Sequence, residues 1–279
     1  MIKKEWSKVV VQFSIPQKEI VNAFLLELKP DSILENELNF EVFFESEITD
    51  ELLESIQNIP GVVGHLESSK CINKNWNEVW ESNYEPIEID DYCQIRAEFH
   101  PPNPKVPYQI IIRPQMAFGT GHHETTYMMI EEINGLNLLG KSVWDYGCGT
   151  AILSVFSWMK GASSIMCNDI ESWAVENAEL HFDLNKVPAQ VFTVIEGAID
   201  SIPIEQKHDV ILANINRKVL LDSMLGIRSR LKDGGFLLMS GILDVDKDLV
   251  VQEYLNEFEL INQRQKGEWI CMKMQPKIS

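Results

Sequence analysis

The sequence predicts an α/β fold in which a parallel sheet is covered by helices on both faces, preceded by a smaller α+β domain. Three observations carry this. From Met116 onward, strand-like and helix-like stretches alternate regularly, the pattern of a parallel sheet with crossover helices. The segment 1–72 runs in the order β-α-β-β-α-β, the ferredoxin-like pattern. A length of 279 residues accommodates two domains of ordinary size. The expected division is residues 1–72 as the N-terminal domain, 73–115 as a linker with one helix and two strands, and 116–279 as the larger domain.

In the first domain Lys8–Ile15 is rich in β-branched residues and reads as a strand. Pro16 opens a helical stretch to Leu28, with Ile20, Ala23, Phe24 and Leu28 on one face. A short strand near Ile33, a strand at Leu38–Phe44, a helix at Asp50–Ile59 and a strand at Val62–Ile72 follow, with Pro60-Gly61 ending the helix. In the linker, Asn75–Tyr84 reads as a short helix carrying Trp76 and Trp80 on one side, which suits core packing between domains. Ile87–Phe99 and Val106–Arg113 read as strands around a proline-rich turn.

The larger domain opens with a helix at His123–Ile133. Strand Ser142–Trp144, helix Ile152–Met159, strand Ser164–Cys167, helix Trp173–Leu184 and strands Val191–Ile195 and Asp209–Ala213 come next. Helix Val219–Leu231, strand Phe236–Met239, helix Lys247–Glu257 and strands Glu259–Gln263 and Glu268–Met274 close the chain. The last two strands lack an intervening helix, so an antiparallel strand is expected at one edge of the sheet.

Composition narrows the function classes. Forty-two acidic against 24 basic side chains give a net charge of −18, which argues against duplex DNA or an anionic membrane as the main partner. The acidity is densest over the segment 1–72, with Glu35, Glu37, Glu41, Glu45, Glu47 and Asp50 close together. It reads either as a soluble surface or as a docking face for a basic macromolecule. No stretch reaches the length of a membrane helix, and the start of the chain lacks the apolar core of a signal peptide. The five cysteines are odd in number and lack C-x-x-C spacing, which points to a reducing, cytoplasmic setting rather than a disulfide framework or zinc site.

The most informative stretch is Val143-Trp-Asp-Tyr-Gly-Cys-Gly-Thr-Ala-Ile-Leu, a strand, a glycine turn and a helix. Gly147 and Gly149 let a ligand approach the backbone at the carboxyl end of the strand. Asp169 follows Gly147 at the end of the second strand, near the spacing of roughly 20 residues expected of a carboxylate that accepts from ribose hydroxyls. An adenosine ligand follows. A dinucleotide fingerprint would need glycine at Ile152, so NAD or FAD ranks below S-adenosylmethionine. Asp145 would repel a pyrophosphate and suits a ligand with an amino group and a sulfonium. In Met116-Ala-Phe-Gly-Thr-Gly-His-His-Glu-Thr-Thr, small residues and threonine hydroxyls suit a loop lying against that ligand. His122, His123 and Glu124 lack metal-site spacing and read as helix capping or cofactor cover. Asn214, at the end of Asp209-Val-Ile-Leu-Ala-Asn, would emerge into the same crevice as an uncharged acceptor for the cofactor or an incoming amine.

These stretches together resemble the ribosomal protein L11 methyltransferase family. AFGTGHHETT at 117–126 looks like its signature loop and DYGCGTAIL at 145–153 like its cofactor turn. ANIN at 213–216, LMSGIL at 238–243, and Trp76, Trp80, Tyr84 and Pro86 of the linker also fit. The resemblance is clear over residues 74–275 and rests on strand order before that. It implies a Rossmann-like, seven-stranded class I methyltransferase domain that uses S-adenosyl-L-methionine. It implies methylation of lysine side chains and the N-terminal amine of ribosomal protein L11, with the N-terminal domain recognising that substrate. Apart from the resemblance, the enzyme is expected to be cytoplasmic, and a monomer is expected although the sequence does not fix the oligomeric state. The cofactor positions carried over are Thr126, Gly147, Asp169 and Asn214, with Asn214 also the catalytic candidate and no metal ligands. Two departures are Ala151, where many members have a third glycine, and Glu171, which replaces a common aspartate. The alternatives are a same-fold methyltransferase acting on another basic protein or a small molecule, or a non-catalytic S-adenosylmethionine-binding module. Enzymes of this fold acting on glutamine or a base usually carry Asn-Pro-Pro-Tyr, which Ile215-Asn216 breaks.

Overall fold

The computed structural model describes residues 5–36, 38–45, 47–72, 84–113 and 121–277. The helix expected to end at Tyr84, with Trp76 and Trp80, and the first part of the 116–126 stretch lie outside them. The chain divides into two compact units, Met1–Asn83 and Tyr84–Ser279. The two strands expected in a linker thus fall within the larger unit.

The smaller unit contains β1 (Glu5–Gln12), α1 (Lys18–Glu27), β2 (Ser32–Glu35), β3 (Asn39–Phe44), α2 (Asp50–Gln57) and β4 (Glu67–Ile72). The strands form an antiparallel sheet in the order β2-β3-β1-β4. Thr49 caps α2 by accepting from the Leu52 N–H at 3.2 Å, and Asp50 and Glu51 oppose the helix dipole in the first turn. Two expectations change here. The face of α1 that enters the core is Val21 and Leu25, with Leu28 partly buried beside them, while Ile20 and Phe24 are 46% and 42% exposed. The helix carries two apolar stripes at helical spacing, and the sheet took the other one. The last strand starts at Glu67 rather than Val62, because Gly61 and Gly64, at φ of +99° and +76°, turn the chain first.

The larger unit begins with a three-stranded sheet, β5 (Ile87–Ile89), β6 (Cys93–Ala97) and β7 (Tyr108–Ile112). The single strand expected over Ile87–Phe99 is a hairpin, broken where Asp90 adopts φ +47°. Next come α3 (Glu124–Asn134), β8 (Ser142–Tyr146), α4 (Ile152–Met159), β9 (Ser164–Asp169), α5 (Ser172–Leu184), β10 (Phe192–Glu196) and β11 (His208–Asn214). The chain ends with α6 (Arg217–Arg230), β12 (Leu231–Leu243), α7 (Lys247–Tyr254), β13 (Phe258–Lys266) and β14 (Trp269–Pro276). Leu231, expected to end α6, instead starts β12, which bulges between Leu231 and Phe236 opposite β11.

The seven strands order as β10-β9-β8-β11-β12-β14-β13. β14 is antiparallel to both neighbours, so the antiparallel strand is inserted one place inside the edge that β13 forms. The side chains explain the choice. β14 carries Ile270, Cys271, Met272 and Met274, all fully buried, whereas most of β13 is exposed. The core on the α6 and α7 side runs from Trp144 through Ile211, Leu237 and Met239 to Tyr254, Phe258 and Met274.

Candidate active site

The chain order of the sheet reverses between β8 and β11, since β8 leads outward through β9 to β10 while β11 leads the other way. Ligands of open α/β sheets bind outside the carboxyl ends of the strands at such a switch point. The ladders bring the expected residues level there. Asp145 pairs with Cys167 of β9 and with Leu212 of β11, so one step past the next pair Gly147, Asp169 and Asn214 share one register. Three positions far apart in sequence thus line the mouth of one crevice.

The glycine turn is built by backbone hydrogen bonds. The Gly147 and Cys148 N–H groups both donate to the Asn168 carbonyl, at 2.9 and 3.1 Å. Gly147 has φ +72°, and a Cβ there would lie 2.3 Å from the Ile215 Cγ2, so both conformation and space require glycine. Asp169 completes the turn from the neighbouring strand. Its Oδ2 accepts from the Gly149 N–H at 3.0 Å and its Oδ1 from the Glu171 N–H at 3.1 Å. Each oxygen keeps a lone pair for a further donor. Asn168 is fully buried below, accepting from Trp144 Nε1 at 2.8 Å and donating to the Gly197 carbonyl at 2.8 Å.

Ala151 stands at the N-terminus of α4 with φ +56°, the left-handed region. A third glycine would be unstrained there, and the alanine is held by full burial of its methyl. Ile152, at the position a dinucleotide site reserves for glycine, is 3% exposed and fills the space between helix and sheet. Asp145 differs from the expectation. Its carboxyl is buried and accepts from Ser154 Oγ at 2.7 Å, with Cys167 Sγ 3.1 Å from that hydroxyl. Burial pushes its pKa up to about 7, and the Asp169 charge adds to the rise against the Ser154 hydrogen bond.

Thr126 is buried in the first turn of α3, which packs on β11, β12 and β14. His123 caps that helix, its Nδ1 accepting from the Thr125 N–H at 3.3 Å. Its ring stands edge-on to Trp269 at 4.6 Å, and Trp269 pairs with Leu243 at the carboxyl end of β12. The start of α3 therefore lies at the same end of the sheet as Gly147, Asp169 and Asn214. Burial lowers the His123 pKa, which keeps the ring neutral and able to accept. Among the described residues no group of His, Cys, Asp and Glu is arranged to hold a metal.

Two residues at the crevice were not singled out from the sequence. Ile170 follows Asp169 and is 66% exposed. Ile215 follows Asn214 and fills the space over Gly147. An apolar residue directly after a strand-end polar one was the available signal. A groove of about 430 Å³ between α3 and β13, lined by Tyr127, Glu131 and Arg264 among others, shares none of these residues. Its walls satisfy one another, since Arg264 pairs with Glu131 and Glu132 and Lys266 sits 3.6 Å over the Tyr127 ring.

Comparison with known proteins identifies the family. The family described as Ribosomal protein L11 methyltransferase (PrmA) matches residues 7–277. The ribosomal protein L11 methyltransferase of Porphyromonas gingivalis is 36% identical over 265 residues, 92% of this chain and 90% of its own length. That of Phocaeicola vulgatus is 36% identical over 261 residues, 91% of this chain and 92% of its own. Among solved structures, the ribosomal protein L11 methylase of Lactobacillus delbrueckii subsp. bulgaricus superposes with a TM-score of 0.64 at 26% identity, covering 70% of this chain and all of that one. Matched over nearly its whole length by this family and by relatives of that name, the chain belongs to the ribosomal protein L11 methyltransferase family.

Proposed function

We propose that this protein transfers methyl groups from S-adenosylmethionine to the lysine side chains and N-terminal amine of ribosomal protein L11, acting in the cytoplasm. The observation that carries the reading is that Gly147, Asp169 and Asn214 each stand two residues beyond Asp145, Cys167 and Leu212, which pair across three adjacent strands. The residues present fit the cofactor. Gly147, at φ +72°, makes the tight turn at the carboxyl end of β8 that the ligand would sit against. Asp169, already oriented by the Gly149 N–H, retains acceptor capacity for two ribose hydroxyls. Ile170 offers an apolar face beside it for the adenine, and Thr126 closes the site from α3. When bound, the cofactor supplies an electrophilic methyl on a sulfonium.

The chain's own residues then act by positioning. Asn214 accepts a hydrogen bond from the incoming amine and aligns its lone pair with the methyl. Its neutrality matters. Presenting a lysine uncharged at pH 7.5 costs roughly 4 kcal/mol from its usual pKa of ~10.4, and a carboxylate beside the nitrogen would raise that cost. An N-terminal amine, with a pKa of ~7.8, costs well under ~1 kcal/mol on the same arithmetic. The acidic side chains of the smaller unit serve docking of a basic protein in this reading.

The test is intact-mass spectrometry of unmethylated L11 incubated with enzyme and S-adenosylmethionine, with fragmentation to place each added methyl. Asn214→Ala is expected to lower turnover about 100-fold while leaving the melting temperature nearly unchanged. Equal turnover in the variant and the natural protein would remove Asn214 from the mechanism. Cofactor binding without any mass change in L11 would remove the substrate.

A further inference from the structure

Asn214 is the last residue of β11, and nothing in a strand end by itself fixes where the chain goes next. Here both neighbouring strands fix it. On one side β8 leads into Gly147, where an added Cβ would fall 2.3 Å from the Ile215 Cγ2. On the other, β12 contains Gly241 at φ +84°, where a Cβ would fall 2.3 Å from the Ile215 carbonyl oxygen and 3.2 Å from its N. Ile215 thus seats its β-branch methyl on one bare backbone and its peptide on another. Asn216 holds the far side by capping α6, its side chain accepting from the Val219 N–H at 3.0 Å. Arg217 then pairs with Asp246 beyond the end of β12. Ile215, Asn216 and Arg217 are each engaged with a neighbouring element, and Asn214 makes no side-chain hydrogen bond among the described residues.

We propose that Ile215 is a positioning residue of the transfer site: the contact of its Cγ2 methyl with Gly147 ties the cofactor turn to Asn214 and keeps both in one register. The proposal rests on the reading of Gly147 and Asn214 given above. It differs from a role in core filling, because it assigns the function to one methyl at one place rather than to side-chain volume. Ile215→Val keeps the Cγ2 methyl and loses a methylene. Ile215→Leu keeps the volume and loses the methyl on Gly147. Core filling favours leucine, and the tie favours valine.

The experiment measures S-adenosylmethionine binding by calorimetry, and kcat and KM for L11 methylation, in both variants. It adds Gly147→Ala alone and combined with Ile215→Ala. Ile215→Val is expected to keep near-natural kcat. Ile215→Leu is expected to lose roughly tenfold in kcat with a smaller change in KM. Gly147→Ala is expected to weaken cofactor binding roughly tenfold or more, and Ile215→Ala to restore part of that loss, because the new methyl takes the vacated space. Leucine performing as well as valine, or a double variant binding no better than Gly147→Ala, overturns the tie. If the double variant does not fold, the valine and leucine pair decides. A natural protein that binds no S-adenosylmethionine would instead overturn the functional reading on which the tie rests.

Discussion

Asp145 sits just before the end of β8 with Ser154 Oγ as its hydrogen-bond donor, and its environment sets a pH dependence of its own. Its folded-state pKa is raised to about 7 by burial, above that of the unfolded chain. Between about pH 4 and 7 the folded state therefore holds more protons than the unfolded one, and stability falls as pH rises through that window, by a few kcal/mol. Asp145→Asn should remove this slope. Urea midpoints at pH 5 and pH 8 would check it, and an unchanged slope would show that Asp145 ionises freely. The residue scale also shows which site positions a sequence can reveal. The placement of Gly147, Asp169 and Asn214 at strand ends was legible because strand-end placement and spacing from a glycine turn are properties of the chain. Asp145 was legible as an acid but not in its surroundings, because Ser154 reaches it only once α4 packs on β8. Ile215 carried only the weak signal of an apolar residue after a strand-end amide, because its task is defined by Gly147 and Gly241, which lie far from it in sequence on either side.

At the scale of elements, the short three-stranded sheet is joined to the main sheet's helical layer by side chains that imitate a strand. Asn185, just past α5, accepts from the Ile111 N–H at 2.8 Å and donates to the Ile111 carbonyl at 2.7 Å. His181 accepts from the Arg113 N–H at 3.0 Å through Nε2, with Nδ1 placed 2.7 Å from the Asn177 carbonyl to donate. Together they satisfy the outer edge of β7, which would otherwise expose unpaired backbone groups. Asn185→Ala strands both groups of Ile111. It should cost about 2–4 kcal/mol, from the desolvation of two unsatisfied partners. Chemical denaturation would read the loss, and hydrogen exchange at the Ile111 amide should accelerate with it. A variant as stable as the natural protein would show that the edge is held by packing alone. These joins explain where element-level reading stopped. Local pattern located α4 to the residue and most other elements to within a few positions. It chose the wrong stripe of α1 and placed the antiparallel strand at the edge, because both outcomes depend on which partner surface is available.

At the scale of the molecule, acid stability turns on a second buried group of opposite sign. His208, at the start of β11, is 2% exposed, and neither ring nitrogen has a hydrogen-bond partner among the described residues. Burial, with Lys232 and Arg230 nearby, lowers its pKa to about 4, Asp209 opposing. The unfolded chain then binds the proton first. Stability is complete above about pH 6.5 and is lost as pH falls toward 4, on the order of 3 kcal/mol in all. Because the Asp145 contribution runs the other way over the same window, His208→Phe should let the larger unit gain more stability than the natural protein gains between pH 7 and 5, and an equal pH dependence in both proteins would exclude a His208 contribution. What the sequence by itself determined is the alternation of strands and helices, the glycine turn and the acid at Asp169 that ends the next strand. Periodicity, turn chemistry and motif spacing are short-range properties that survive without any partner surface. Only the tertiary structure decided which stripe of α1 is buried, that β14 rather than β13 lies inside the sheet, that Asp145 meets Ser154, and that Ile215 is seated between Gly147 and Gly241. Each of these is a contact between segments distant in the chain. Its outcome follows from close packing and from the need to pair buried polar groups, which no local pattern encodes.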